Sequence, residues 1–157
     1  MYLVCMATPL KGRFKPKNPE KYRGDPTNII YRSSWERDVM SFMDSRSDVV
    51  YWMSEERCFP YKDFTTKKVR RYFPDIICGI KREYGIETRV IEIKPKKYTQ
   101  PPKLPKSGRK TKSYNYHLTE YIRNECKWKS MRDICEDRGW NFQIITEDDV
   151  SRWSKRK

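Results

Sequence analysis

Three side chains in this sequence could do chemistry together: Asp75, Glu92 and Lys94. They lie in two runs, Arg70-Arg71-Tyr72-Phe73-Pro74-Asp75-Ile76-Ile77-Cys78 and Arg89-Val90-Ile91-Glu92-Ile93-Lys94-Pro95. The β-branched and aromatic residues of these runs predict strands from Tyr72 to Ile80 and from Arg89 to Ile93. Between them Lys81-Arg82-Glu83-Tyr84-Gly85 carries the charge and glycine of a hairpin connection. Side chains alternate along a strand, so Glu92 and Lys94 share one face, as do Phe73, Asp75 and Ile77. A register joining those faces would bring two carboxylates and an ammonium together inside the most apolar strands of a very polar chain. Charge in such a place is costly unless it is paired or bound to metal.

Two neighbouring carboxylates repel each other and attract a hard divalent cation, and Mg²⁺ prefers one or two carboxylates completed by water and phosphate oxygens. A lysine two residues along the strand can orient or deprotonate an attacking water, or neutralise charge growing on a phosphate. Asp followed by Glu-x-Lys one strand later, here Pro74-Asp75 and then Glu92-Ile93-Lys94, resembles the pattern of the PD-(D/E)xK nuclease superfamily. The same residues also suit a solvated edge hairpin tied by ion pairs, and the motif alone does not choose between them.

Composition narrows the choice. The chain has 157 residues, of which 36% are charged, with a formal net charge of +14. That length predicts one domain, and the charge makes a polyanion, nucleic acid above all, the expected partner. No run approaches the roughly 18 apolar residues of a membrane span. Met1-Tyr2-Leu3-Val4-Cys5-Met6-Ala7 is too short and lacks the basic leader of a secretion signal. The five cysteines, at 5, 58, 78, 126 and 135, are odd in number and form no Cys-x-x-Cys pair, which predicts reduced thiols, with 78, 126 and 135 buried. The single histidine, His117, has no ligand spacing around it and predicts no zinc site.

The elements that must position the site follow in chain order. Residues 1–28 are expected to form a basic N-terminal arm, extended over the domain or hanging free, and 29–157 the domain itself. From Ile29 to Met43, Trp35, Val39, Phe42 and Met43 fall at helical spacing and predict a core-facing helix. Ser33 and Glu36 make a capping box there, although Glu36 could equally reach the acidic site. Asp48–Trp52 and Arg57–Tyr61 predict short strands, the second an edge or a bend because of Pro60, and the polar stretch Lys62–Lys68 leads back to the central hairpin. Residues 95–113 hold four prolines and many cations, among them Lys96, Lys97, Arg109, Lys110 and Lys112; their place just after the Glu92–Lys94 strand favours a DNA-contacting loop over a plain solvated insertion. A helix is predicted over 116–138, closed by Gly139, with Tyr121, Trp128, Met131 and Cys135 facing the sheet. On its flank Asn124 and Lys127 suit either a plain polar edge or a support for phosphate or for Lys94. A strand over Asn141–Ile145 and a short helix capped by Thr146 and Asp149 complete the chain.

This order predicts an α/β (α+β) domain with a mixed sheet flanked by helices, the restriction-endonuclease-like core. A narrower resemblance runs through Phe14–Ser33, Ser34-Trp35-Glu36, Trp52-Met53-Ser54-Glu55-Glu56, Pro60-Tyr61, Arg71–Asp75, Glu92–Pro95, Lys127-Trp128 and Ile145-Thr146-Glu147. In these the chain resembles the head-completion nucleases of T4-like tailed bacteriophages. The resemblance implies a Mg²⁺-dependent DNA nuclease, with Mn²⁺ an acceptable substitute, acting in the host cytoplasm after genome packaging. Portal, neck or capsid proteins would be its partners, and it could remain in the particle. It also implies that Asp75, Glu92, Lys94 and Glu36 are catalytic, that Asp75, Glu92, Glu36 and the Ile93 carbonyl hold one or two metal ions, and that Lys96, Lys97, Arg109, Lys110, Lys112 and Lys127 meet DNA. Two rivals are a structural neck or DNA-end-binding protein with a vestigial site, and a repair or transposon-end nuclease on the same fold.

Overall fold

A computed structural model describes residues 10–154, so the apolar leader, Cys5 included, lies outside the described residues. The strands are β1 (Gly12–Phe14), β2 (Ile29–Tyr31), β3 (Val49–Met53), β4 (Phe59–Asp63), β5 (Lys68–Tyr72), β6 (Ile76–Arg82), β7 (Gly85–Ile93) and β8 (Asn141–Ile145). The helices are α1 (Ser34–Ser45), α2 (Lys112–Arg138) and α3 (Glu147–Ser154), with single 3₁₀ turns at Pro19–Lys21 and Lys96–Tyr98. A four-stranded mixed sheet in the order β3-β6-β7-β8 forms the centre. Its first three strands run antiparallel, and β8 returns parallel to β7 after α2. The mixed sheet flanked by helices is the architecture expected of the sequence.

Pro74 accounts for the main departure. The run expected to be one strand from Tyr72 to Ile80 is broken at Phe73–Asp75: Tyr72 ends β5, and β6 begins at Ile76. A proline has no N–H for a ladder, so the chain leaves one sheet there and enters another. Asp75 therefore sits in the bend before β6 rather than on a strand. Lys62–Lys68, expected to be a plain connection, instead carries the end of β4, a turn and the start of β5, which pair antiparallel from Phe59↔Tyr72 to Asp63↔Lys68. The central hairpin also reaches further than expected. Arg82 pairs with Gly85, leaving only Glu83 and Tyr84 to make the turn.

Ile29–Tyr31 pairs with Gly12–Phe14 as a strand, and the helix begins only at Ser34, where the Ser33 hydroxyl accepts the Glu36 N–H at 3.1 Å. Of the two alternatives for the basic arm, its described part takes the first. Tyr22 is buried edge-on against Trp52, and the backbone N–H groups of Lys17 and Asn18 donate to buried Asp44 at 2.8 and 3.2 Å. Helix α2 starts a turn before expectation, at Lys112, because the last proline of the loop is Pro105 and Thr111 offers a cap, accepting the Tyr114 N–H at 3.1 Å. At its other end Gly139 takes the left-handed φ of 67° that closes a helix.

The core lies between the sheet and the two longer helices. Trp35, Val39, Met40 and Met43 come from α1; Met131 and Cys135 come from α2; Trp52, Ile76, Ile77, Cys78, Val90, Ile91 and Ile145 come from the sheet. Of the α2 stripe, Trp128, Met131 and Cys135 are buried and Tyr121 only half-buried. Cys126 is likewise half-buried, against the expectation of full burial. Phe42 stacks on Trp153 at 4.6 Å, which docks α3 on α1.

Candidate active site

Where β6 enters the sheet, three elements converge. The register that pairs Ile76 with Ile91 puts Asp75 beside the end of β7, where its Oδ2 accepts the Ile93 N–H at 2.7 Å. Glu92 points to the same side, only 6% exposed, with Oε1 3.5 Å from Lys94 Nζ. Its Oε2 accepts the buried Tyr72 hydroxyl at 2.5 Å. Glu92 and Lys94 thus share a face by strand alternation, and Asp75 reaches the same place from a bend.

Electrostatics define the pair. Burial pushes the Asp75 carboxyl well above the ordinary carboxylate range, and the Glu92 charge pushes it further. The Ile93 N–H and Lys94 offset only part of this, and Glu36 adds a smaller upward push, which places it on the rim of the same field. Burial and the Glu92 charge also drive the Tyr72 hydroxyl upward, so it stays a proton donor to Glu92. From α2, half-buried Lys127 feels both Glu92 and Lys94; burial lowers its ammonium below the usual lysine range, against the pull of Glu92.

Glu36 fills the role that its capping box allowed. Its Oε2 accepts the Arg32 N–H at 2.8 Å and its Oε1 the Ser33 hydroxyl at 3.2 Å. Among the described residues no three Asp, Glu, His or Cys side chains stand close enough to hold a metal by themselves. What converges is a pair of carboxylates under mutual repulsion. An all-oxygen donor set of this kind suits a hard divalent cation that completes its shell with water and phosphate oxygens.

The expected DNA-contacting cations divide. Lys97, Arg109, Lys110 and Lys112 are exposed. Lys96 is exposed as well, and its Nζ pairs with Asp148 at 3.1 Å while its N–H donates to Glu147 at 2.8 Å, tying the loop to α3. Lys127 is half-buried, within the electrostatic reach of Glu92 and Lys94. Tyr72 escaped sequence reasoning; an aromatic beside cations carries no motif, and only the β4–β5 pairing, itself missed, turns it inward. A concavity of about 750 Å³ between α1 and α3, lined by Asp38, Phe42, Arg46 and Trp153 among others, contains none of the acidic site residues.

A mixed sheet of this topology with acidic residues at the mouth of its central hairpin defines a nuclease of the restriction-endonuclease-like class. The chain belongs to the TnsA-like endonuclease N-terminal family, whose model matches residues 46–147. That span contains Asp75, Glu92 and Lys94 and leaves out Glu36. Over 139 residues the chain is 41% identical to the head completion nuclease of Enterobacteria phage T4, an alignment covering 87% of this chain and 91% of that protein.

Proposed function

We propose that this nuclease hydrolyses phosphodiester bonds of DNA with a divalent metal, Mg²⁺ or Mn²⁺, late in the assembly of a tailed-phage head. The observation that carries the chemical part is the buried Asp75–Glu92 pair beside Lys94, in which burial first and the Glu92 charge second raise the Asp75 carboxyl. Asp75 and Glu92, with the Ile93 carbonyl, would hold one or two ions, and Glu36 would join directly or through water. Bound there, the metal would polarise a phosphate and acidify a water. Tyr72 and the Ile93 N–H hold the two carboxylates in place. Lys94 orients the attacking water or meets charge growing on the phosphate, and Lys127 adds a second positive charge behind it. Lys97, Arg109, Lys110 and Lys112 grip the backbone, and Lys96 can add to them where Asp148 releases it. No base-reading element is in evidence among these groups, so cutting follows DNA structure, such as ends, flaps or branches, rather than sequence.

The assembly role, with portal, neck or capsid proteins as partners, draws on the named T4 relative. Membership of the TnsA-like endonuclease family supports a second reading, an endonuclease on the same fold that cuts transposon or repair ends outside phage assembly. Cleavage of linear, branched and closed circular DNA in Mg²⁺, Mn²⁺ and EDTA, with Lys94→Ala alongside, tests the proposal. Metal-dependent cutting, reduced at least a hundredfold in Lys94→Ala, is expected. Cutting that survives EDTA, or a Lys94→Ala protein as fast as its parent, would overturn the mechanism. Rescue of phage assembly by the wild type but not by Lys94→Ala would favour the head-completion role, and no effect on assembly would favour the second reading.

A further inference from the structure

The β4–β5 hairpin is the part of the molecule that neither the core nor the acidic site fully explains. Its inner face is anchored. Phe59, Tyr61 and Tyr72 are buried, and Asp63, completely inaccessible, receives Arg70 at 2.9 Å, Arg123 of α2 at 3.0 Å and the Thr65 N–H at 2.9 Å. The Ser130 hydroxyl of α2 donates to the Pro60 carbonyl at 3.2 Å. The hairpin is therefore held rigid at its root, while its outer face carries Lys62, Val69 and Arg71 and its tip Phe64, Lys67 and Lys68, all exposed. Its one acid, Asp63, is consumed inside. Lys62, Lys67, Lys68 and Arg71 make no ion pair among the described residues.

Two features set this face apart from an ordinary solvated turn. Phe64 is 64% exposed and Val69 73%, a large apolar area for a turn to leave in water. Lys67 takes a φ of 57°, the left-handed region where glycine or asparagine is favoured and a lysine is strained. A protein-docking patch would be depleted of lysine at its centre. Here Lys62 lies opposite Val69 across the hairpin and leans over the Phe64 ring at 5.5 Å, so cations interleave the apolar groups. That pattern suits the phosphates and sugars of a nucleic acid backbone.

We propose that the outer face and tip of the β4–β5 hairpin form a clamp on the backbone of duplex DNA beside the cut, with Lys62, Lys67, Lys68 and Arg71 on phosphates and Phe64 against deoxyribose. The inference rests on the nuclease reading above. Strand β5 leads from this tip to Tyr72, which touches Glu92. The four residue-to-residue steps from Lys68 to Tyr72 span ~13 Å at about 3.3 Å each. With one base pair per ~3.4 Å, the clamp would protect about four base pairs to one side of the cut.

Binding of a 30-base-pair duplex to the full chain, followed by fluorescence anisotropy with Ca²⁺ in place of Mg²⁺ over a range of salt, tests this clamp. For Lys67→Gly/Lys68→Gln/Arg71→Gln, affinity at about 100 mM salt should fall at least tenfold, and the slope of log affinity against log salt should become shallower by about 2 to 3. Lys67→Gly alone relieves a strained backbone, so its melting temperature should equal or exceed the parent's while its slope drops by about 1. That combination separates lost contact from lost folding. Unchanged affinity and slope in both variants, beside a parent that cuts DNA, would overturn the clamp and leave the nuclease reading standing. A parent that neither binds nor cuts DNA would remove both.

Discussion

Glu92 is a buried carboxylate whose two oxygens do different work: Oε2 is held by Tyr72, and Oε1 faces Lys94. A hydrogen bond to a charged acceptor contributes about 1.5–3 kcal/mol. Tyr72→Phe should therefore unfold about 2 kcal/mol more easily in urea, and Glu92, free to turn, should lower the cleavage rate more than it alters DNA affinity. Parallel denaturation and binding curves check both. An unchanged rate in a folded Tyr72→Phe protein would mean that Glu92 needs no such support. The nearness of Glu92 and Lys94 was legible in the sequence because strand alternation fixes which side chains share a face, whereas Asp75 comes to them from a bend that the apolar run did not signal. Tyr72 was not legible, because its role depends on the turn at Pro74 and on a hairpin that polar residues concealed. Glu36 stayed ambiguous in the sequence for a physical reason that the structure retains: both its oxygens are engaged in the capping arrangement, yet its charge reaches Asp75.

At the scale of elements, the central hairpin holds the site only if β3 can lie close along β6. Gly79 permits this, since a Cβ there would stand 2.2 Å from the Tyr51 ring, whose hydroxyl sits 3.1 Å from the Thr88 hydroxyl. Gly79→Ala should cost about 1–3 kcal/mol in thermal or denaturant unfolding, as overpacked sites do, unless Tyr51 swings out to solvent. A variant as stable as the parent would show that it does. Helix α2, α3 and β8 were readable from period, caps and the terminal glycine. The boundaries that failed share one cause: short, cation-rich strands such as β5, with four of its five residues exposed, carry no apolar alternation to betray them. Lys112 and Ser113 were lost to the proline-rich loop because composition blurs where the last proline ends its influence.

For the molecule as a whole, a net charge of +14 must be kept from loosening the fold, and buried acids do part of that work. Burial would raise the Glu87 carboxyl, but hydrogen bonds from Arg89, Arg82 and Asn141 pull it down to about 2. A carboxylate depressed on folding contributes stability above its unfolded value of about 4.5 and loses it as pH falls toward 2. Glu87→Gln should accordingly melt below the parent at pH 7, and the gap should close between pH 4.5 and 2. A gap that persists at pH 2 would assign the loss to packing instead.

In the proposed function Asp75 and its partners hydrolyse DNA through a bound divalent ion. Its most direct test is nicking or linearisation of closed circular DNA by the purified protein in Mg²⁺, with Asp75→Asn as comparison and equal melting curves for both. Cutting by the parent, abolished by EDTA and lost in the folded Asp75→Asn protein, is the expected result. Equal cutting by the two proteins would contradict it.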